Sequence, residues 1–342
     1  MSLLRRVLAS NMGQLVIEIV LVAVPAAVLV ALLHLIFGSS MEDSLVGDVF
    51  LNILEAAVVA VVFVQALRKI EHLSPSEVGL SKHQWFRQLL IGFLGGGALM
   101  TVVMIVLAIT GSYRITNANP FVVVQLICLI VAACLLALLF TRNKKIGFLH
   151  YVLFALLAFG FLPATVSLLI LIGGAVQEEF VFRGIIFRKL ESSFGSWIAI
   201  AVSAILFGIL HLLSPTATLV GAIALVISAG VLFAAIYILT RSLWWAIGVH
   251  LGWNFFEGPV FGVQVSGHVI PGFFSSAITG PEIWTGGSFG PEAGLAAIFI
   301  VGAVAFYLCF RAARQQRMIP RNQLQRIADD TQVEHTDAPV NL

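Results

Sequence analysis

Four polar side chains stand out because apolar sequence surrounds them: Glu178, His211, His250 and Asn254. A carboxylate can take a proton from water, a histidine can bind a metal or shuttle a proton, and a carboxamide can donate to a developing oxyanion. The densest group is Gln177-Glu178-Glu179-Phe180-Val181-Phe182-Arg183. Glu179 and Arg183 are four residues apart, so a helix puts them on one face with the acid N-terminal to the base, the favourable order for a pair. That pair neutralises one carboxylate and leaves Glu178, about 100° further round the helix, for chemistry. Read alone, the cluster fits an interfacial ion pair equally well.

Phe207 and His211 share a face of the next apolar segment, and His250 and Asn254 share a face of a later one. Taken singly, His211 reads as a structural histidine, and His250 with Asn254 as interhelical hydrogen bonding, worth about 0.6 kcal/mol per contact. Their depths argue for more. With a turn at Ser192–Ser196, Glu178 lies 16 residues before Phe194 and His211 lies 17 after it. Two antiparallel helices rising about 1.5 Å per residue bring both to one level. Arg241 marks the next turn on that side, with His250 and Asn254 nine and thirteen residues on. The expectation is one cavity, a short way in from the cytoplasmic face.

Two chemistries fit. Glu178 activates a water while His211 and Asn254 stabilise the oxyanion, or His211, His250 and Glu178 hold a divalent metal such as zinc, three ligands with an open position. There is no HExxH, GxSxG or phosphate-binding glycine loop, which turns the reading away from helix-borne zinc, serine nucleophiles and nucleotide hydrolysis. Cys128, Cys134 and Cys309 lie in apolar runs without a CxxC pair.

The elements that must hold these residues are membrane spans. The 342-residue chain is 60% hydrophobic and 11% charged, with mean hydropathy +1.03. Soluble domains carry about 25% charged residues, so lipid is the solvent for most of this chain. Predicted spans are Leu15–Phe37, Leu45–Leu67, Gln88–Thr110, Phe121–Phe140, Trp197–Leu213, Ala217–Leu239, Leu243–Val263 and Gly294–Phe310. The stretch Gly147–Phe182 begins and ends on a basic side, so Pro163 is expected to divide it into a hairpin, in preference to one long tilted helix. The fold class is therefore an all-α polytopic bundle of about 8–10 helical segments. Basic residues flank alternate spans, at Arg5-Arg6, Arg68-Lys69, Arg142 to Lys145 and Arg311 onward, which predicts a multi-pass plasma-membrane protein with both termini cytoplasmic. The organisation reads as an N-terminal hairpin over residues 1–70, a helical core over 71–310 and a basic, disordered tail over 311–342. Glu18, Asp48 and Glu55 are expected to pair across the first two helices or to face a lumen, while His268, Glu282 and Glu292 are expected on an outside loop away from the site.

The three motifs, Glu178-Glu179…Arg183, Phe207…His211 and His250…Asn254, resemble in order the E-E-x3-R, F-x3-H and H-x3-N motifs of the CAAX protease and bacteriocin-processing family, which includes the type II CAAX prenyl endopeptidases. Flanking text is similar too: FRGIIFRKL, RSLWWAIGVHLGWNF and VSG…TGGSFGPE. The likeness spans about Phe86 to Phe310, most firmly Gly173 to Pro291. It implies a helical membrane bundle with a site open to the cytoplasm. Glu178 would activate water, His211 and His250 would be catalytic or metal-binding, Asn254 would complete the site, and Glu179, Arg183 and Phe207 would support it. The implied partner is a membrane-associated peptide or protein substrate within the lipid bilayer, with no nucleic acid; the oligomeric state stays open. A non-enzymatic scaffold or immunity protein using the same cavity, or an ion-coupled transporter, are the competing readings.

Overall fold

The computed structural model describes residues 10–37, 45–118, 162–214 and 216–321. The expected span Phe121–Phe140 and the first arm of the Gly147–Phe182 hairpin lie outside them, as does the tail beyond Arg321. The protein is a polytopic transmembrane helix bundle. Helix α1 is Asn11–Phe37, α2 Leu45–Ala66 ending in a π turn to Glu71, and α3 Trp85–Ile109. Strand β1, Tyr113–Ala118, follows. Helix α4, Leu162–Glu179, continues through a π-helical segment, Phe180–Phe187, into α5, Arg188–Phe194. Gly195 makes the turn into α6, Ser196–His211. Helices α7 (Leu219–Leu225) and α8 (Val231–Thr240) form one run through a second π turn, Val226–Gly230. Helix α9 is Leu243–Phe255, with a π turn to Val260. After strand β2 (Phe274–Ile278) and the one-turn α10 (Glu282–Thr285), α11 runs over Leu295–Arg314.

Five described stretches are long and apolar enough to cross a membrane, within α1, α2, α3, α7–α8 and α11. Their outward faces are hydrophobic rather than polar: Phe306 is 74% exposed and Phe299 65%. That inversion is stable only with lipid as solvent.

Helix α9, which carries His250 and Asn254, is seated by a glycine seam. Gly92 and Gly96 of α3 face Gly248 and Gly252 of α9, two small-xxx-small pairs that let backbones approach closely. A Cβ on Gly96 would fall 2.0 Å from the Val249 carbonyl oxygen, and one on Gly252 2.0 Å from that of Phe93. Gly95, one residue away, has nothing within 4 Å of such a Cβ. Gly252→Ala should therefore cost about 1–3 kcal/mol by forced separation of the helices, whereas Gly95→Ala should be neutral or mildly stabilising. Unfolding of the two variants in detergent micelles checks this; equal midpoints would mean the seam does not fix α9.

The two ends of the bundle differ in character. At one end, the π turn after α2, the Gly195 turn, the Arg241 turn and the end of α11 meet. Arg188 is bonded to Glu71, Arg241 to Glu191, and Ser196 N donates to the Ile319 carbonyl at 2.9 Å. Lys189 Nζ reaches the Gln14 side chain at 2.6 Å and lies 3.3 Å from Glu18, so Glu18 pairs with α5 rather than across α1 and α2. At the other end, β1 pairs antiparallel with β2, and the Tyr113 hydroxyl donates to the Phe261 carbonyl at 3.0 Å.

Candidate active site

The π-helical segment opens immediately after Glu178-Glu179 and carries Arg183, a local widening of the kind often found at functional sites. Arg183 is fully buried. Its Nη1 donates to Glu179 Oε1 at 3.1 Å, and Nη2 donates to the carbonyls of Ala229 and Gly230 at 3.3 and 3.2 Å. Those carbonyls belong to the second π turn, so each irregular helix supplies what the other needs. The guanidinium also lies over Phe207 and Phe233, 5.1 and 5.0 Å from the ring centres. A cation buried this deeply in an apolar bundle is held by every means open to it: charge, carbonyl oxygens and aromatic faces.

Glu179 Oε1 is shared. It also accepts from His250 Nδ1 at 3.0 Å. The His250 ring stacks on Phe233 with centroids 4.8 Å apart, and its Nε2 lies 3.8 Å from Glu178 Oε2. Glu178 is a third exposed on its side chain, unlike Glu179, which is buried. It lines a cavity of about 340 Å³ together with Asn254, Asn52 and the loop from Val265 to Pro271. The structure thus gathers Glu178, Glu179, Arg183, Phe207, His250 and Asn254 into one cluster. His211 stands to one side: its Nδ1 donates to the Phe207 carbonyl at 2.7 Å, and its ring packs on Phe207 with centroids 4.5 Å apart. Phe207 is the spacer between His211 and His250.

The donor chemistry suits a divalent metal in one respect. A carbonyl and a carboxylate only accept, so both Nδ1 atoms carry hydrogen, and each neutral ring then offers Nε2 as a ligand. The placement does not suit it: among the described residues no group of three or more His, Cys, Asp or Glu side chains is spaced to hold a metal ion.

Glu178 is seventeen residues before Gly195 and His211 sixteen after it, so their levels match. At about 1.5 Å per residue, that level is about 25 Å from the Gly195 turn, near the far end of the bundle. The expected position was a short way in from the face that carries the basic turns. The cavity walls and the basic turns belong to opposite parts of the helices that carry them.

The loop after α9 comes back to the site. His268 lines the cavity instead of standing away from it. Glu292 is buried; its Oε1 accepts from Ser266 N and Oγ at 2.8 and 2.6 Å, and its Oε2 from Trp253 Nε1 at 3.2 Å. Glu257, wholly buried one helical turn beyond Asn254, accepts from Glu292 N at 3.2 Å. The VSG and GPE stretches therefore meet and fix the Ser266 turn against the cavity. The sequence signal was an acid in an uncharged Gly-rich loop. Glu292→Ala removes a charged acceptor from three donors and should cost about 2 kcal/mol or more, with Glu292→Gln keeping part of it. A thermal midpoint unmoved by Glu292→Ala would refute that role.

Residues 160–256 match the family model described as Type II CAAX prenyl endopeptidase Rce1-like. No curated protein and no solved structure matches the chain. A Rce1-like CAAX protease domain is thus found over part of the chain, less than a third of its length. That part includes every residue from Glu178 to Asn254 discussed above and stops before Ser266 and Glu292.

Proposed function

We propose that the protein is an intramembrane endopeptidase in which Glu178 activates the attacking water. The observation that carries the reading is the division of labour between adjacent acids. Glu179 is buried and committed to Arg183 and His250, while Glu178 faces a cavity with Asn254 on its wall. The Glu178 carboxylate takes a proton from water as the oxygen adds to the peptide carbonyl carbon. The Asn254 amide donates to the resulting oxyanion. The C–N bond then breaks, and Glu178 returns its proton to the leaving amine, so the carboxylate is restored. His250, oriented by Glu179 and the Phe233 ring, sets the position of Glu178.

The test is hydrolysis by the purified full-length protein in proteoliposomes. Membrane-embedded and lipid-modified peptides with a fluorophore and quencher serve as substrates, in water enriched in oxygen-18. One heavy oxygen should enter the new carboxyl group. Label absent from products, or no cleavage of any peptide, defeats the proposal.

A further inference from the structure

We propose that the Glu178 cavity opens on the extracytoplasmic side of the membrane and takes peptide segments presented from that side. The premise is the opposition between the two ends of the bundle. Among the described residues, Arg183 is the buried cation of the site and Arg114 of β1 lies at the strand end. Every other lysine and arginine sits at the end of the Gly195 and Arg241 turns or beside it, including Arg68, Arg87, Lys189 and Arg317. Contacts tie these residues into one surface: Arg188 to Glu71, and Arg241 to Glu191 and to the Arg317 carbonyl at 3.3 Å. An excess of lysine and arginine close to span ends is retained in the cytoplasm, and it is these cations, not the net charge, that orient a chain. The acids bonded to Arg188 and Arg241 therefore do not cancel the bias.

The cavity belongs to the other end. Its walls come from the N-terminal part of α2 at Asn52, from α4 between Ile170 and Glu178, and from the loop that follows α9. All three are remote from the basic turns: Asn52 is fourteen residues before the last residue of α2, and Val265 lies beyond the last turn of α9. The same end carries the β1–β2 pair and the buried Glu292 that secures Ser266. A peptide reaching Glu178 by way of this loop comes from the side opposite the basic surface. The corresponding substrates are an extracytoplasmic juxtamembrane segment or the outer end of a membrane span, not a cytoplasmic C-terminal tail. Only the word substrate rests on the peptidase reading; the orientation of the cavity does not.

Two measurements separate the claims. In full-length protein with Cys128, Cys134 and Cys309 replaced by alanine, Ser275→Cys of β2 and Gln315→Cys after α11 are labelled in intact cells with a membrane-impermeant maleimide. Val269→Cys and Arg311→Cys are the reserve pair should either variant fold poorly. The outer position should label in intact cells and the inner one only after lysis. The reverse pattern, or equal labelling of both before lysis, overturns the proposal. Second, an impermeant fluorogenic peptide should be cleaved by right-side-out vesicles, with loss of cleavage in sealed inside-out vesicles. Cleavage confined to inside-out vesicles overturns the proposal as well. Cleavage by neither preparation fails the peptidase reading instead, and the labelling then decides the orientation.

Discussion

Glu178→Gln should abolish turnover while leaving the bundle folded. The amide has the shape of the carboxylate but cannot accept the proton of the attacking water. General-base catalysis contributes roughly 10²- to 10⁴-fold, so kcat should fall by about that factor with KM little changed. Stability should hold because Glu178 is not among the groups that knit the helices together. It is a third exposed on its side chain, its Oε2 has no hydrogen-bond partner among the described residues, and His250 Nε2 is 3.8 Å away. The measurement is kcat and KM in proteoliposomes, beside the unfolding midpoint of the same preparation. Turnover within threefold of the parent would sink the assigned role, and a collapsed midpoint would move Glu178 from chemistry to architecture. Asn254→Ala offers a graded comparison: losing one oxyanion donor costs about 10²- to 10³-fold and should leave residual activity.

Much of the frame was legible because lipid imposes it. A span needs about 20 apolar residues, and α1, α2, α3, α7–α8, α9 with its π turn, and α11 lie within a few residues of their expected limits. The Glu179–Arg183 pair was legible because one helical turn separates the two. Other features follow from contacts that no local pattern encodes. The π segments appear where Arg183 reaches across to Ala229 and Gly230, and an apolar run looks the same in either helix type. The glycine seam pairs residues more than 150 positions apart. Equal spacing from Gly195 fixed the relative depth of Glu178 and His211, yet did not say at which end of the helices that depth falls. The loop after α9 resembled a connection remote from the site because its acids carry no periodicity. Only its return path puts Ser266 on Glu292 and His268 on the cavity wall. His211 shows the limit of the depth argument: it is at the right level but faces Phe207.

Removal of Arg183 should be the most destabilising single change at the site. Arg183→Met keeps much of the volume but deletes the guanidinium that donates to Glu179 Oε1 on its own helix and to the Ala229 and Gly230 carbonyls on the facing one. Taking one partner from a buried ion pair leaves an uncompensated charge, with a cost of about 3–5 kcal/mol. Glu179→Gln should also destabilise, because the buried guanidinium then loses its counter-charge. The double variant Glu179→Gln/Arg183→Met should be less destabilised than the sum of the two, since no lone charge remains. A double-mutant cycle of unfolding free energies in micelles measures that coupling; strict additivity would show that the pair does not act as a unit. The pair also reaches the chemistry. Glu179 Oε1 is the atom that accepts from both Arg183 and His250, so Arg183 fixes the carboxylate that fixes the histidine beside Glu178. Activity in the double variant should therefore stay low even where its stability is largely restored. Such a split between fold and turnover distinguishes a positioning pair from one that serves only to hold the helices together.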